Sequence, residues 1–180
     1  MAKKPSQRKM FDNIFKVIKQ NSGALTANDN VFTEIIDLQL PKGYCARIRR
    51  VIFRDHSLTD QTDQARFKFN SALVLDPDDE ESYAIPAGEV DHDVLCDYES
   101  EYMRFEEDTT PNGISFMPNR EVMYDFPEEL DAITVRNIRF NTLCTGVAGG
   151  QSNPPQIRIE VYFTYEKISS EMLEIMLGIS

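Results

Sequence analysis

Residues 156–180 read QIRIEVYFTYEKISSEMLEIMLGIS and contain two different hydrophobic periodicities. In the first half every second residue is apolar, which predicts a half-buried β-strand whose inward side chains are Ile157, Ile159, Val161, Phe163 and Tyr165. After Ser169 the apolar residues follow the spacing of one helical face, and these are Met172, Leu173, Ile175, Met176 and Leu177. Ser169 or Ser170 supplies a helix N-cap. The stretch therefore predicts a patterned strand followed by a short apolar helix.

Most of the preceding chain also has the pattern of strands separated by turns. Residues 31–40 and 45–55 flank the turn sequence PKGY, so they are expected to form a hairpin. In the second of these strands, strict alternation would put Ala46, Ile48 and Ile52 on one face. It would put Arg47, Arg49, Val51 and Phe53 on the other. Residues 65–75 alternate as well. The two strands with the clearest alternation are residues 65–75 and 156–166. From them we expect a core that contains Phe67, Phe69, Leu73, Ile159, Val161 and Phe163.

The apolar parity changes within residues 132–143, between Val135 and Ile138, which predicts a bulge or a strand that serves two sheets. About eight to ten such strands, without strand–helix alternation, predict an antiparallel sandwich or barrel. We expect an all-β fold, an antiparallel eight-stranded jelly-roll sandwich with short terminal helices. An immunoglobulin-like sandwich is disfavoured because the chain contains no Trp. The expected divisions are an N-terminal arm (1–24), the jelly-roll domain (25–166) and a helical tail (167–180).

Charge is distributed unevenly along the 180-residue chain, whose formal net charge is −11. Residues 1–20 hold six Lys or Arg and one Asp, so they carry +5 and the remainder carries −16. An acidic body disfavours binding of nucleic acid over the whole surface, because phosphate contacts need cations. The basic segment can make weak contact with nucleic acid or an anionic membrane, and its leading cations are Lys3, Lys4, Arg8 and Lys9.

The same N-terminal segment has apolar residues at helical spacing, namely Phe11, Ile14, Phe15 and Ile18. This pattern predicts a short basic amphipathic helix that docks on a neighbouring subunit or lies on an anionic membrane. No apolar run reaches the roughly 20 residues that span a bilayer. The segment also lacks the features of a secretory signal.

Residues that could carry chemistry are few. His56 and His92 are the only histidines, without metal-ligand spacing, and Asp91 to Asp93 reads as a surface loop. The acidic run from Asp76 to Glu81 offers oxygen ligands for calcium, but a solvated turn is the simpler interpretation, and the sequence leaves the choice open. Three scattered cysteines, Cys45, Cys96 and Cys144, read as buried apolar residues of a chain made in a reducing compartment. We therefore expect a protein that is not an enzyme, with no cofactor, no metal and no small-molecule substrate.

Three segments together resemble the single jelly-roll capsid proteins of icosahedral viruses, similar to structural proteins of phages or archaeal viruses. They are VFTEIIDLQLPKGYCARIRRVIF (31–53), YDFPEELDAITVRNIRFNT (124–142) and PQIRIEVYFTYEKISSEMLEIML (155–177). The resemblance implies a major or minor capsid subunit that is made in the host cytoplasm, resides in the virion and contacts further copies and other virion proteins. The expected intersubunit residues are Phe11, Ile14, Phe15, Ile18, Met172, Leu173, Ile175, Met176 and Leu177.

Two alternatives remain open at the level of sequence. The tail helix packs either on another subunit or on its own sandwich near the loop TGVAGG, residues 145–150. The intersubunit choice follows from the resemblance alone. As a function of another class, the chain suits a non-catalytic oligomeric binding module or an acidic chaperone with a β-sandwich fold.

Overall fold

The computed structural model describes residues 15–25, 30–56, 66–75, 94–103, 121–130, 132–145 and 156–177. Within them, residues 30–31, 56, 66–67 and 101–103 are described by their backbone alone. Nine strands are present in these ranges: β1 Lys16–Asn21, β2 Asn30–Ile36, β3 Tyr44–His56, β4 Arg66–Val74, β5 Val94–Met103, β6 Glu121–Asp125, β7 Ile133–Thr134, β8 Ile138–Thr145 and β9 Gln156–Lys167. A 3₁₀ turn covers Glu128–Leu130, and one α-helix, α1, covers Ser170–Met176.

The strands form two antiparallel sheets that enclose one hydrophobic core. Sheet A has the order β1-β9-β3-β6, with β7 paired to β3, and sheet B has the order β2-β8-β4-β5. The all-β antiparallel prediction is confirmed. Side chains from both sheets meet in the core, and the largest fully buried ones include Phe53, Phe69, Phe140, Phe163, Ile138 and Ile159.

The alternation of β9 behaves as expected. Ile157, Ile159, Val161 and Phe163 are all buried, and Tyr165 packs against the core from its edge. On β4 the expected core residues Phe69 and Leu73 are buried as well, while the side chain of Phe67 lies outside the described part of the chain.

The hairpin expected between residues 31–40 and 45–55 is wrong. β2 pairs with β8 in sheet B, whereas β3 pairs with β9, β6 and β7 in sheet A. The turn itself exists, since the Tyr44 N–H donates to the Pro41 carbonyl at 3.0 Å. The chain nevertheless crosses from sheet B to sheet A before this turn. At the crossing Leu38 is buried in the core, and the next residue, Gln39, adopts a left-handed φ of 52°. Burial of an apolar linker residue outweighed pairing of neighbours in sequence.

The amphipathic helix expected from Phe11 to Ile18 is wrong where the structure describes it. Residues 16–21 form β1, an edge strand whose backbone pairs with β9 from Lys16↔Phe163 to Asn21↔Arg158. Exposure alternates along this strand, with Ile18 half-buried against the core and Val17 exposed on the other side. Pairing with β9 decides for a strand, because tertiary contacts override a local spacing that suits a helix. Residues 16–21, assigned above to the arm, thus belong to sheet A.

A β-bulge in β3 overturns the expected division of its side chains. The register with β9 passes from Ile48↔Phe163 directly to Arg50↔Tyr162, so Arg49 is the extra residue. The bulge reverses the parity, and Val51 therefore joins Ile48 in the core. Ile52 consequently lies on the opposite side of the sheet from Ala46, Ile48, Val51 and Phe53.

Residues 132–143 serve both sheets, which confirms one of the two alternatives. β7 pairs with β3 in sheet A, and β8 pairs with β2 and β4 in sheet B. Between them the chain bends, and the Oδ1 of Asn137 accepts a hydrogen bond from the Leu38 N–H at 3.1 Å. This bond ties together the two crossings of the chain from one sheet to the other.

The predicted C-terminal helix is confirmed as α1. Ser169 is its N-cap, with an extended backbone and a side chain that accepts a hydrogen bond from the Met172 N–H at 3.2 Å. α1 follows Lys167, whereas Gln156, the residue after the loop that contains TGVAGG, lies at the opposite end of β9. The loop itself, residues 146–155, lies outside the described part of the chain, so the alternative that placed the helix near it stays a prediction.

Candidate interaction surface

The outward side of sheet A carries a network of ion pairs together with exposed apolar side chains. We call it the outer face of sheet A. It is formed by Val17 and Lys19 of β1, Arg47, Arg49, Arg50, Ile52 and Arg54 of β3, Glu121, Met123 and Asp125 of β6, and Arg158, Glu160, Tyr162, Thr164 and Glu166 of β9. Phe15 and Glu128 border it at one end.

Glu160 occupies the middle of this face and is covered by its own partners. Its Oε1 lies 3.0 Å from Arg158 Nη2, 3.2 Å from Lys19 Nζ and 3.4 Å from Arg54 Nη1. Its Oε2 accepts a hydrogen bond of 3.0 Å from the Tyr162 hydroxyl. The carboxylate side chain is only 1% exposed, although it points away from the core. The cover consists of long side chains rather than a protein layer, since that of Lys19 remains 51% exposed.

The electrostatics of Glu160 favour the ionised form. Burial favours the neutral acid, but the hydrogen bond from Tyr162 and the charges of Lys19 and Arg54 outweigh it and hold the pKa of Glu160 below its usual value. The same hydrogen bond to Glu160 raises the pKa of the Tyr162 phenol. The centre of the face is thus a fixed anion surrounded by cations at neutral pH.

A second group of ion pairs lies nearer to α1. Glu166 Oε1 is 2.7 Å from Arg47 Nε and 3.1 Å from Arg49 Nη2. Arg49 Nη2 also reaches Glu128 Oε1 at 3.2 Å, and this pair connects β3 to the 3₁₀ turn. Arg47 and Arg49 thus both contact the same carboxylate.

Exposed apolar side chains concentrate on the same side of the molecule. Among the described residues seven large apolar side chains are exposed, of which three belong to the outer face of sheet A or its border and two lie on α1, beside Arg47 and Glu166 of that face. These five are Phe15, Val17, Met123, Met172 and Ile175. Single exposed apolar residues are ordinary, but a group on one face is typical of an interaction surface.

α1 and the sheet enclose a groove, which we call the α1 groove. Its lining from the sheet includes Cys45, Arg47 and Ile133, and its lining from the helix includes Met172 and Ile175. Ile175 is 69% exposed and Met172 is 52% exposed, and no residue of the helix is buried. The helix leaves a large part of its apolar side uncovered.

The structure brings some of the predicted intersubunit residues together and separates others. Met172, Leu173, Ile175, Met176 and Leu177 lie on α1 or at its end. Phe15 is exposed at the border of the outer face, whereas Ile18 points into the sandwich and packs against the core. The predicted positions Phe11 and Ile14, the cations Lys3, Lys4, Arg8 and Lys9, and the acidic run from Asp76 to Glu81 lie outside the described residues.

The reading of the cysteines as buried and unpaired is confirmed. Cys45, Cys96 and Cys144 are free thiols inside the protein. Burial raises the pKa of all three, and the carboxylate of Asp55 adds to the effect at Cys144, whose pKa rises to about 12. Each thiol therefore stays protonated and is a poor nucleophile at neutral pH.

Two buried carboxylates, those of Asp55 and Glu160, were not predicted from the sequence. Asp55 is buried between the sheets, where its Oδ2 accepts hydrogen bonds from the Ser100 and Tyr98 hydroxyls at 2.6 and 2.9 Å. Glu160 fell on the polar parity of β9, and strand parity alone does not tell a covered acid from a solvated one. The one available signal for Glu160 was its central position on a strand long enough to lie between two others.

Within the described ranges no three His, Cys, Asp or Glu side chains are grouped to hold a metal ion. None of the helices in these ranges is long and apolar enough to span a bilayer. No family model matches the chain, and no similar curated protein was found.

Proposed function

We propose that this chain is a structural subunit of a virus particle, a major or minor capsid protein that assembles through the outer face of sheet A and the segments at its ends. We further propose that its sandwich is a jelly roll. The proposal rests on the pairing of the strands and, above all, on the grouping of exposed apolar side chains on one face.

The pairing order supports the jelly-roll assignment. When the two-residue β7 is set aside, β1 pairs with β9, β2 with β8, β3 with β6 and β4 with β5. The first strand thus pairs with the last, the second with the next to last, and so on inward. A nested hairpin of this kind, folded over into two four-stranded layers, is the topology of jelly rolls. Jelly rolls also occur in lectins and cupins, so the surface has to distinguish the function.

The outer face of sheet A supports assembly because it combines exposed apolar groups with balanced charge. Six cations, Lys19, Arg47, Arg49, Arg50, Arg54 and Arg158, lie among five acids, Glu121, Asp125, Glu128, Glu160 and Glu166. The face is therefore nearly neutral, although residues 21–180 carry −16. Copies of an acidic protein can approach each other at such a face without the repulsion that other surfaces would produce.

Electron microscopy of the purified protein tests this proposal. We expect closed particles from the wild type and a folded but unassembled protein from Val17→Asp with Met123→Asp, because both side chains are exposed on the outer face. Ile35→Asp is the matched control, since Ile35 is equally exposed but lies on sheet B. A wild type that forms only a small discrete oligomer would instead indicate a binding module. Normal particles from the double variant would show that another surface carries assembly.

A further inference from the structure

The two outermost strands of sheet A, β1 and β6, have free outer edges among the described residues. The order of the sheet is β1-β9-β3-β6, and none of the described strands pairs with the far side of β1 or of β6. An edge strand presents unpaired backbone N–H and C=O groups, which can pair with a strand of another chain. The exposed apolar side chains Val17 and Met123 lie on these two strands, one on each. Both edges are therefore candidates for pairing between copies.

The hydrogen bonds between β1 and β9 show which backbone groups of β1 face its free edge. The Ser22 N–H donates to the Ile157 carbonyl at 2.9 Å, which continues the register of the two strands by one residue. Successive residues of an antiparallel strand turn their backbone groups to opposite sides. Val17 and Lys19, which lie at odd distances from Ser22, therefore direct their N–H and C=O groups away from β9.

The same geometry orients the backbone of β6. The Phe126 N–H donates to the Arg49 carbonyl at 2.9 Å, in the register that joins β6 to β3. By the same alternation, Glu121, Met123 and Asp125 direct their backbone groups away from β3 and towards the free edge.

These two edges fit each other in one antiparallel register. Within sheet A, β6 runs opposite to β1, so a neighbouring copy in the same orientation supplies an antiparallel partner. When Val17 lies opposite Met123, Lys19 lies opposite Glu121. Both pairs join residues whose backbone groups face the shared edge, and they match apolar with apolar and cation with acid. Cross-strand pairs of these kinds stabilise a sheet.

The neighbouring registers match less well. The alternation of the backbone allows a shift only by two residues, and a shift in either direction places Val17 opposite an acid, Glu121 or Asp125. On the core side, the unshifted register sets Ile18 opposite Val122, and both of these side chains already pack against the core of their own molecule. The apolar layer of the sandwich would thus continue across the contact.

Charge favours the pairing of unlike edges over the pairing of like edges. β1 contains Lys16 and Lys19 and no acid, whereas β6 contains Glu121 and Asp125 and no base. Two β1 strands side by side would bring cations together, and two β6 strands would bring acids together, which destabilises a pair of strands. The contact is therefore head-to-tail, and a contact of this kind generates a ring where the rotation between copies closes.

We propose that β6 of one copy pairs with β1 of the next, so that sheet A continues from subunit to subunit with Val17 opposite Met123 and Lys19 opposite Glu121. The side chains of Lys19 and Glu121 are each about half exposed beside ion-pair partners in their own molecule. The contact thus extends the ion pairs of the outer face across the boundary between copies. This inference rests on the assembly proposed above and names the strands through which copies join.

Disulfide formation between copies tests the pairing in the variant Val17→Cys with Met123→Cys. Within one molecule the two positions lie at opposite edges of sheet A, about 14 Å apart across three strand spacings, which is too far for a disulfide. In the proposed register their Cα atoms face each other between copies at about 5.5 Å, which suits a disulfide. The native cysteines are buried. After oxidation with diamide, non-reducing electrophoresis measures the covalent multimers and peptide mapping identifies the joined positions.

Val17→Cys with Glu99→Cys is the matched control, since Glu99 is exposed on sheet B. We expect multimers joined between positions 17 and 123 to form on the order of ten-fold faster than any multimer of the control. Equal rates would overturn the pairing. Bonds that join 17 to 17 or 123 to 123 in preference to 17 with 123 would overturn the head-to-tail arrangement.

A backbone substitution gives a second measure in a chain with only its native cysteines. Met123→Pro removes an N–H that faces the free edge, whereas the bonds between β6 and β3 use the residues on either side. Met123→Ala is its control, because it also shortens the side chain but keeps the N–H. We expect the proline variant to associate about ten-fold more weakly than the alanine variant in sedimentation velocity, as loss of one hydrogen bond predicts. Equal association of the two would contradict pairing through this edge.

The edge contact and the proposed particle can fail separately. Closed particles in the electron microscope without a bond between positions 17 and 123 would overturn the edge pairing and leave the capsid proposal standing. The bond in a protein that forms only open chains would support the edge pairing and contradict the capsid proposal.

Discussion

The hydroxyl of Tyr98 on β5 donates a hydrogen bond of 2.9 Å to Oδ2 of Asp55 on β3, and this bond joins the two sheets through the core. Ser100 donates to the same oxygen at 2.6 Å. Burying a carboxylate removes most of its hydration, and hydrogen bonds inside the protein have to compensate for that loss. Two hydroxyls from sheet B therefore hold an acid of sheet A in a place that hydrophobic packing alone would not favour.

Removing the donor and removing the acceptor should destabilise the protein by different amounts. We expect Tyr98→Phe to lower the free energy of unfolding by about 1–2 kcal/mol, because one hydrogen bond to a charged acceptor is lost. Asp55→Ala should cost more, about 3 kcal/mol, because it leaves the hydroxyls of Tyr98 and Ser100 without their acceptor. Urea unfolding measures both. Tyr124→Phe is the control, since its more exposed hydroxyl can bond to water instead. Equal losses in all three variants would contradict this assignment.

The bond between Asn137 and the backbone of Leu38 gives a second prediction. Asn137→Ala removes the acceptor of a partly buried N–H and should lower the free energy of unfolding by about 1–2 kcal/mol. Asn137→Asp keeps an acceptor oxygen at the same position and should recover most of the loss in urea unfolding at neutral pH. If the Asp variant is as unstable as the Ala variant, the side chain acts through something other than this hydrogen bond.

The parts of the fold that were predictable are those in which local periodicity and burial coincide. On β9 each inward position is apolar, so its parity gave the core side of the strand directly. The break between Val135 and Ile138 was also visible, because a chain that changes sheets must change the side on which it is apolar. Both features depend only on residues that are close together in the sequence, and hydrophobic periodicity is informative over that range.

The parts that failed depend on distant partners. The run Arg47-Ile48-Arg49-Arg50-Val51 contains no mark of a bulge, and only pairing with β9 shows that Arg49 is extra. Lys16–Asn21 has apolar residues that suit a helix or a strand, and the free edge of β9 decides between them. The ion pairs of Glu160 join residues from β1, β3 and β9, which no local pattern can bring together.

The state of the three cysteines predicts their reactivity. Because burial raises the pKa of each thiol, we expect none of the three to react with a thiol-specific disulfide reagent at pH 8 in the folded protein. All three should react promptly after unfolding in urea. Counting the released chromophore in both states checks this. Fast labelling of one thiol before unfolding would identify a local opening of the sandwich at that residue.

Glu160 predicts a specific dependence of stability on pH. Its pKa in the folded protein lies below the ordinary value of 4.5, so the unfolded chain binds its proton more readily than the native state does. The contribution of Glu160 to stability is therefore complete above pH 4.5 and is lost as the pH falls through the lower, folded value. Other carboxylates titrate in the same range, and a variant is needed to isolate this one.

Glu160→Gln isolates it because the amide keeps the shape of the side chain and removes its charge. We expect the variant to lose about 2 kcal/mol of stability at pH 7, since Lys19, Arg54 and Arg158 are left without their common anion. The difference from the wild type should begin to shrink as the pH falls below 4.5 and should disappear below the lowered pKa of the folded state, where the native carboxyl is neutral too. Glu121→Gln is the matched control, because Glu121 is half exposed and pairs with Arg54 alone among these cations. Urea unfolding from pH 7 to pH 3 measures both variants. A difference for Glu160→Gln that stays constant over this range would mean that its hydrogen-bond geometry, and not its charge, stabilises the face.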